Sequence, residues 1–357
     1  MPPEPRPIGS EFHWDPAALL SAEQGGGLPP WLPARRELYA TGCGAMSAVL
    51  RRLAPRGRLH LPSYFCVGVA EALSADLPIG WYRHLPDGHG PHWHTLRAAA
   101  GDVVVAQNLF GHDDGAPWRD WVEAHPGVTV LEDHSHDPFS DWARTSTAPY
   151  AVASLRKTLP LPDGGLLWSP LGLDLPAPHG EPSPGSHLKL AGMVLKAAWL
   201  AGRPVPKAGF RRLQQQGEQA LLGSAGPAAA LTAAVLPLLD VAGLRRASTR
   251  QARALIAALP AAGPAGQILT GPGAAPFRVQ LLCPSETVRD ALLAHLAHHD
   301  IYAPVHWRQD RAGFWSGDDQ AADLAARMLT LPVDHRCGPA DVRRIAGTLA
   351  AFQPVPA

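Results

Sequence analysis

Three apolar runs of strand length in the first half of the chain each end on residues that can do chemistry. Asp102 to Leu109 holds Val103-Val104-Val105-Ala106 and is followed by Phe110-Gly111-His112. Val128, Val130 and Leu131 lead into Glu132-Asp133, and Tyr150 to Ala153 leads into Ser154-Leu155-Arg156-Lys157. A continuous apolar run, as opposed to an alternating one, marks a strand buried on both faces of a parallel sheet. Helical patterns separate the runs, one of them carrying Trp118, Trp121 and Val122. Strand and helix in alternation predict an α/β domain with a mostly parallel sheet. Ligands of such sheets bind beyond the carboxyl ends of the strands. Gly42, Phe110, Asp133 and Lys157 all fall at or just after strand ends, which predicts one shared site.

The remaining pattern extends this frame. At 357 residues the chain is long enough for two domains. Residues 1–34, with Gly25-Gly26-Gly27 and Pro29-Pro30, read as an irregular leading arm. Leu38 to Gly44 runs into a helix over Ala45 to Leu53; a strand over 58–61, a turn at Pro62-Ser63-Tyr64-Phe65 and a helix over 67–74 follow. Residues 169–223 give no clear pattern beyond an amphipathic stretch, 188–200, that carries Lys189 and Lys196. A helical segment over 228–258 is interrupted near Pro237. The last third reads as strand 277–282, helix 286–298, strand 302–305 and helix 340–351, a smaller α+β domain. The expected division is 1–240 and 241–357.

Composition removes several function classes. Lys+Arg and Asp+Glu are equal at 31 each, so no net field favours nucleic acid or an anionic membrane. Four cysteines stand far apart without a Cys-x-x-Cys pair, the pattern of reduced thiols. No basic-then-apolar leader is recognisable, and no run approaches the roughly 20 apolar residues of a membrane span. The expectation is a soluble, cytoplasmic protein. His89, His92 and His94, like His134 and His136 or His298 and His299, lack a matching third-ligand pattern, so no metal site is expected. A Gly-x-Ser-x-Gly elbow for a hydrolase is missing too.

Asp133 at a strand end could equally cap the next helix, and a lysine placed like Lys157 ordinarily extends to solvent. A Gly-containing turn that opens a helix, as at Thr41-Gly42-Cys43-Gly44, suits a phosphate but is often only a turn. Pyridoxal phosphate (PLP) enzymes need this combination: a lysine for an imine, an acid for the pyridine nitrogen, an anion cradle and a flat face for the ring.

With those residues in view, the sequence resembles the DegT/StrS-type sugar aminotransferases of the fold-type I PLP enzymes. Leu131-Glu132-Asp133-His134-Ser135-His136 is similar to the family's Glu-Asp-x-x-His/Gln segment. The match implies that Asp133 pairs with the pyridinium nitrogen and that His136 lies beside the ring oxygen. Ser154-Leu155-Arg156-Lys157 with Asp163-Gly164-Gly165 resembles the lysine region, making Lys157 the catalytic Schiff-base residue and Ser154 a phosphate ligand. Thr41-Gly42-Cys43-Gly44-Ala45-Met46 resembles the phosphate turn, which assigns Gly42 and Cys43 to the cofactor. Pro62-Ser63-Tyr64-Phe65 matches the segment of the ring-stacking aromatic, Phe65 first and Tyr64 next. Pro304-Val305-His306-Trp307 resembles a late motif near the substrate. Ser154 stands closer to the lysine than in many relatives, and the family's Asn-x-Arg segment has no clear match in 210–224.

The resemblance implies a fold-type I large domain and a small C-terminal domain. It also implies bound PLP, a small-molecule amino donor and keto acceptor, and a homodimer. The reaction implied is transamination onto a keto-sugar or related natural-product intermediate. A different PLP reaction on the same fold, or a non-catalytic sensor, stays as the alternative.

Overall fold

The structure is a computed structural model that describes residues 6–20, 27–271 and 277–354. Gly25 and Gly26 of the glycine run lie outside the described residues. The leading segment contributes a strand, β1 (Ile8–Gly9), and a helix, α1 (Pro16–Leu20). β2 (Arg36–Tyr39) then delivers the chain to α2 (Gly42–Leu53). Thr41 starts that helix because its side chain accepts from the Gly44 N–H at 2.9 Å. β3 (Leu59–Pro62), α3 (Val67–Leu73) and β4 (Ile79–Tyr82) follow. Next come β5 (Val103–Gln107), α4 (Ala116–Ala124), β6 (Thr129–Asp133), α5 (Asp141–Arg144), β7 (Tyr150–Ser154) and β8 (Gly165–Trp168).

These strands form a seven-stranded sheet in the order β2-β8-β7-β6-β5-β3-β4. The pairs β7–β6, β6–β5, β5–β3 and β3–β4 are parallel, and β8 is antiparallel to both neighbours. β5 shows why the apolar runs are continuous. Val103 and Val105 join the cluster under α2 and α3, whereas Val104 and Ala106 join the one built on Trp118 and Trp142. Successive residues of a strand point to opposite faces, and here both faces are covered.

The region without clear periodicity is an antiparallel helical pair, α6 (Pro184–Leu200) and α7 (Lys207–Leu221). A Cβ on Gly192 would come within 2.8 Å of Gln214 Cγ, and one on Gly217 within 2.7 Å of Lys189 Cγ. The helices therefore approach closely at glycines and a lysine stem, with Trp199 against Phe210 at one end, so the buried face mixes small, polar and apolar residues. The segment 228–258 divides into α8 (Ala230–Val235), a single 3₁₀ turn over 236–238 and α9 (Val241–Ala258). Pro237 sits in that turn, and Asp240 caps α9 by accepting from the Gly243 N–H at 2.8 Å.

Beyond α9 come β9 (Ala262–Gly263), β10 (Gly266–Ile268), β11 (Val279–Leu282), α10 (Glu286–His298) and β12 (Ile301–Tyr302). The chain closes with α11 (Asp319–Arg327), β13 (Met328–Leu331) and α12 (Pro339–Ala351). β13-β11-β10-β9 is an antiparallel sheet. The strand expected over 302–305 covers only 301–302, since Pro304 has no N–H to continue a ladder. β12 pairs in parallel with β1, so Ile8 is buried among Leu292, Leu296 and Ile345. α9 also joins the two layers: Val241 packs on the large-sheet side, Ala252 and Leu255 on the other. Among the described residues no helix is long and apolar enough to cross a membrane.

Candidate active site

Register gathers the site at one edge of the large sheet. Tyr39 and Ser154 both pair with Gly165, so β8 begins where β2 and β7 end. Gln107 pairs with Asp133 and Asp133 with Val152, which brings the ends of β5, β6 and β7 together. The loop after β6 is stitched to β7: the Ser154 N–H donates to Ser135 Oγ at 2.9 Å, and the His134 N–H to the Val152 carbonyl at 2.8 Å. Asp163 fixes the turn before β8. It accepts from the Ala229 N–H at 2.8 Å and Ser186 Oγ at 2.5 Å, and also from Thr232 Oγ1.

Lys157 closes a short turn after β7 and is partly buried. Burial pushes its ammonium pKa below the ordinary range, and the Asp133 carboxylate is the largest influence pulling it back. Asp133 commits Oδ1 to the Ser135 N–H at 2.9 Å. Its Oδ2 meets only Gln107 Nε2, at a long 3.4 Å, and so keeps capacity for a further donor.

His136 is fully buried and accepts at Nδ1 from the Phe110 N–H at 2.9 Å. Burial, then Lys157, drives its pKa well below the ordinary range. A neutral ring that accepts at Nδ1 carries its proton on Nε2, and Nε2 has no partner among the described residues. His306 has the opposite tautomer. Thr330 Oγ1 donates to the Pro304 carbonyl at 3.0 Å and so accepts from His306 Nδ1–H at 2.9 Å. Burial, then Arg278 and Lys157, keeps that ring neutral, with its Nε2 lone pair free.

The anion cradle is the start of α2. Among the described residues the N–H groups of Gly42 and Cys43 find no acceptor, and neither does the Ser154 hydroxyl. A Cβ on Gly42 would lie 3.4 Å from Ser154 Cβ, so the helix start and the end of β7 touch. The Cys43 thiol is pushed up to about 12 by burial, with Cys66 adding to the effect. Cys43 therefore contributes through its backbone.

The aromatic residues divide. Phe65 joins the buried cluster that α2 and α3 make with the sheet. Tyr64 instead enters a group of rings beside Lys157, 5.9 Å from Trp307 and 6.2 Å from Phe110. Neighbouring residues leaving β3 point to opposite sides, and it is Tyr64 that faces the site. Phe277 stacks on His136 at 4.3 Å, and Lys157 Nζ lies 5.5 Å over the Trp307 ring. The structure thus brings together Gly42, Cys43, Asp133, His136, Ser154, Lys157, His306 and Trp307, and sends Phe65 elsewhere.

A cavity of about 420 Å³ opens beside Lys157, His306 and Trp307, walled by α6, α7 and residues 7–12. Arg156, Lys189 and Arg278 line it, and the sequence assigns none of the three a role in the site. Glu218 accepts from both terminal nitrogens of Arg156, at 2.6 and 2.7 Å, and from Lys189 Nζ at 2.8 Å. Lys189 also reaches Glu11 at 2.7 Å. The one available signal is that Lys189 and Lys196 sit two helical turns apart on one face. Cys66, at the start of α3, is a further neighbour that acts on Lys157 and Cys43. Among the described residues no group of three or more His, Cys, Asp or Glu could hold a metal ion.

No family model matches the chain, and no curated protein matches it in sequence. Solved structures do match in fold. A putative sugar aminotransferase, Spr1654 from Streptococcus pneumoniae, in its PMP form, superposes with a TM-score of 0.64 at 12% identity, over 96% of this chain and 97% of that one. A DegT DnrJ EryC1 StrS aminotransferase from Brucella abortus gives 0.61 at 17% identity over 95% of each chain. PseC of Helicobacter pylori, an aminotransferase of pseudoaminic acid biosynthesis, gives 0.63 at 14% over 97% and 98%. Coverage at both ends makes this the fold-type I aminotransferase architecture across the whole chain.

Proposed function

We propose that the protein is a PLP-dependent aminotransferase of the DegT/StrS type, moving an amino group from an amino-acid donor to a keto-sugar or related keto compound. One observation carries this reading. A half-buried amine, a carboxylate within its electrostatic reach and an imidazole N–H without an acceptor among the described residues converge on one sheet edge.

The residues fit the cofactor. The free N–H groups of Gly42 and Cys43, with the Ser154 hydroxyl, suit its phosphate. The spare oxygen of Asp133 suits a protonated ring nitrogen, and the His136 Nε2–H a ring oxygen. When bound, PLP supplies an aldehyde that captures amines and a ring that takes up the electron pair left behind when a carbon loses its proton.

The chain does the rest. Lys157, favoured in its neutral form by burial, would hold the cofactor through Nζ and, when free, would take up and return a proton at that same atom. Asp133 offers its spare Oδ2 to the ring nitrogen as an acceptor. His306 offers Nε2 as an acceptor to a substrate hydroxyl, and Trp307 with Tyr64 shields the reacting atoms from water. The working unit we propose is a homodimer, which a monomer in light scattering would refute.

The test is Lys157→Ala. Wild-type protein given PLP should develop a yellow, borohydride-trappable attachment at Lys157, with amino transfer to a keto acceptor. The variant should show neither. An undiminished attachment in Lys157→Ala would overturn the assignment.

A further inference from the structure

Beyond the carboxyl ends of β4 and β5 lies a second cavity, of about 350 Å³, closed on its far side by β11 and the residues after β10. It shares no lining residue with the cavity beside Lys157. Phe110 is the partition. Its ring packs against Phe277, His306 and Trp307, which line the first cavity, and Phe110 itself lines the second. It holds φ at 53°, a left-handed conformation uncommon for a bulky side chain. Its N–H is the donor to His136, so an occupant of the second cavity bears on the residue that anchors His136.

The two cavities differ in charge. Seven lysines and arginines line the first against Glu11 and Glu218, and Arg278 among them forms no ion pair within the described residues. The second has no lysine or arginine among its described lining residues, but it has Asp113. Asp113 Oδ2 accepts from the Leu109 N–H at 2.8 Å and lies 3.2 Å from His84 Nε2, whereas Oδ1 meets no donor among the described residues. Gln280, 2% exposed, supplies the complementary group. Its Oε1 accepts from Thr270 Oγ1 and from His112 Nε2 at 3.0 Å, and its Nε2 has no partner among the described residues. A buried amide N–H left unpaired is costly, and an acceptor brought by a ligand removes the cost.

We propose that this second cavity binds a hydroxylated amine on a small apolar skeleton. The ammonium pairs with Asp113, a hydroxyl oxygen accepts from Gln280 Nε2, and the carbon frame lies against Leu85, Leu109 and Leu269. Donation from His112 Nε2–H to Gln280 leaves the His112 Nδ1 lone pair as a second acceptor for the ligand's own protons. An anion is rejected, because it would face Asp113 without a cation to offset it. A plain hydrocarbon would leave the Gln280 N–H unpaired. The assignment needs neither PLP nor Lys157 and stands apart from the aminotransferase reading.

The test titrates 1-methylpiperidin-4-ol, a tertiary amine that cannot form an imine, into the PLP-loaded protein by ligand-observed NMR. Cyclohexanol and cyclohexanecarboxylate, with the same ring size and no positive charge, are titrated beside it. A compound this small should bind wild type in about the millimolar range, and at least about threefold more tightly than cyclohexanol. 1-Methylpiperidine, which lacks the hydroxyl, should bind about threefold more weakly than its hydroxylated counterpart. Asp113→Asn keeps an acceptor for the Leu109 N–H and should weaken the amine about tenfold, with cyclohexanol little changed. Leu269→Trp, whose ring would fill the cavity, should remove both, and PLP should still attach to Lys157 in either variant. Equal amine affinity in wild type and Asp113→Asn would overturn the proposal, as would no saturation by the amine up to about 50 mM. So would cyclohexanecarboxylate binding more tightly than the amine in a way that Leu269→Trp abolishes. Should a variant fail to fold, the wild-type order decides: an amine that binds no more tightly than cyclohexanol overturns the assignment.

Discussion

Glu218→Gln tests whether the charge network around the cavity contributes what its geometry implies. Burial alone would raise the Glu218 carboxyl, but Arg156 and then Lys189 overcome that and hold it at about 2, against 4.5 for an ordinary glutamate. Unscreened, that interval corresponds to roughly 3.4 kcal/mol. With 46% of the side chain exposed, the expected cost of the substitution at pH 7 is about 1–2 kcal/mol. For a chain of this size that lowers the melting temperature by about 1–3 °C. The sign follows from a depressed folded pKa: the contribution is complete above 4.5 and disappears as pH falls towards 2. About a quarter should be gone at pH 4 and more than half at pH 3. Parallel urea denaturation of wild type and Glu218→Gln at pH 7, 4 and 3 measures the difference directly. A gap that is absent at pH 7, or that stays constant down to pH 3, would refute the reasoning. Glu218 also helps hold the Lys157 pKa up, so the variant should free that amine at lower pH.

Gly44→Ala should be destabilising by about 1–3 kcal/mol in urea, because its Cβ would fall 2.1 Å from the Ser224 carbonyl oxygen, a backbone atom that cannot swing away. Gly209→Ala in α7, where a Cβ meets nothing within 4 Å, should instead match or exceed wild type. The rate of PLP attachment to Lys157 should rise with pH and level off at a midpoint below 10.5, since burial favours the neutral amine; a midpoint at or above 10.5 would count against the buried-amine assignment.

What was legible in the sequence, and what was not, has physical causes. The parallel sheet was readable because β5, β6 and β7 are covered on both faces and so write continuous apolar runs. Their terminal residues were readable because strand ends are where such sheets bind ligands. α6 and α7 were not, because glycines, Gln214 and the stem of Lys189 interrupt the apolar residues on their contact face. β4 escaped because four residues, Ile-Gly-Trp-Tyr, carry no period of their own. The choice between Tyr64 and Phe65 depends on which way the chain turns on leaving β3, and composition is silent on that. Arg278 was invisible for a deeper reason. An arginine beside an aromatic residue looks the same in sequence whether or not an acid waits for it in the fold.

The charges around Lys157 are arranged unequally, and the asymmetry separates two tasks. On the sheet side stands Asp133, whose attraction raises the amine's pKa. On the cavity side stand Arg156 and Arg278; Arg156 lowers the Lys157 pKa directly, and both make the cavity attractive to anions. Glu218 and Glu11 offset Arg156, Lys189 and Lys196 and also tie α7 and the leading segment to the cavity wall. They leave Arg278 untouched. A site that needed only to hold a cofactor would have no use for that imbalance, because on the proposed reading neutral N–H groups at the start of α2 would meet the cofactor's phosphate. The surplus charge is therefore directed at what enters the cavity. It follows that Asp133→Asn should loosen PLP while the cavity's affinity for a small anion such as inorganic phosphate is kept. Loss of both PLP and the anion in that variant would mean that the two sides are one site and that this division is wrong.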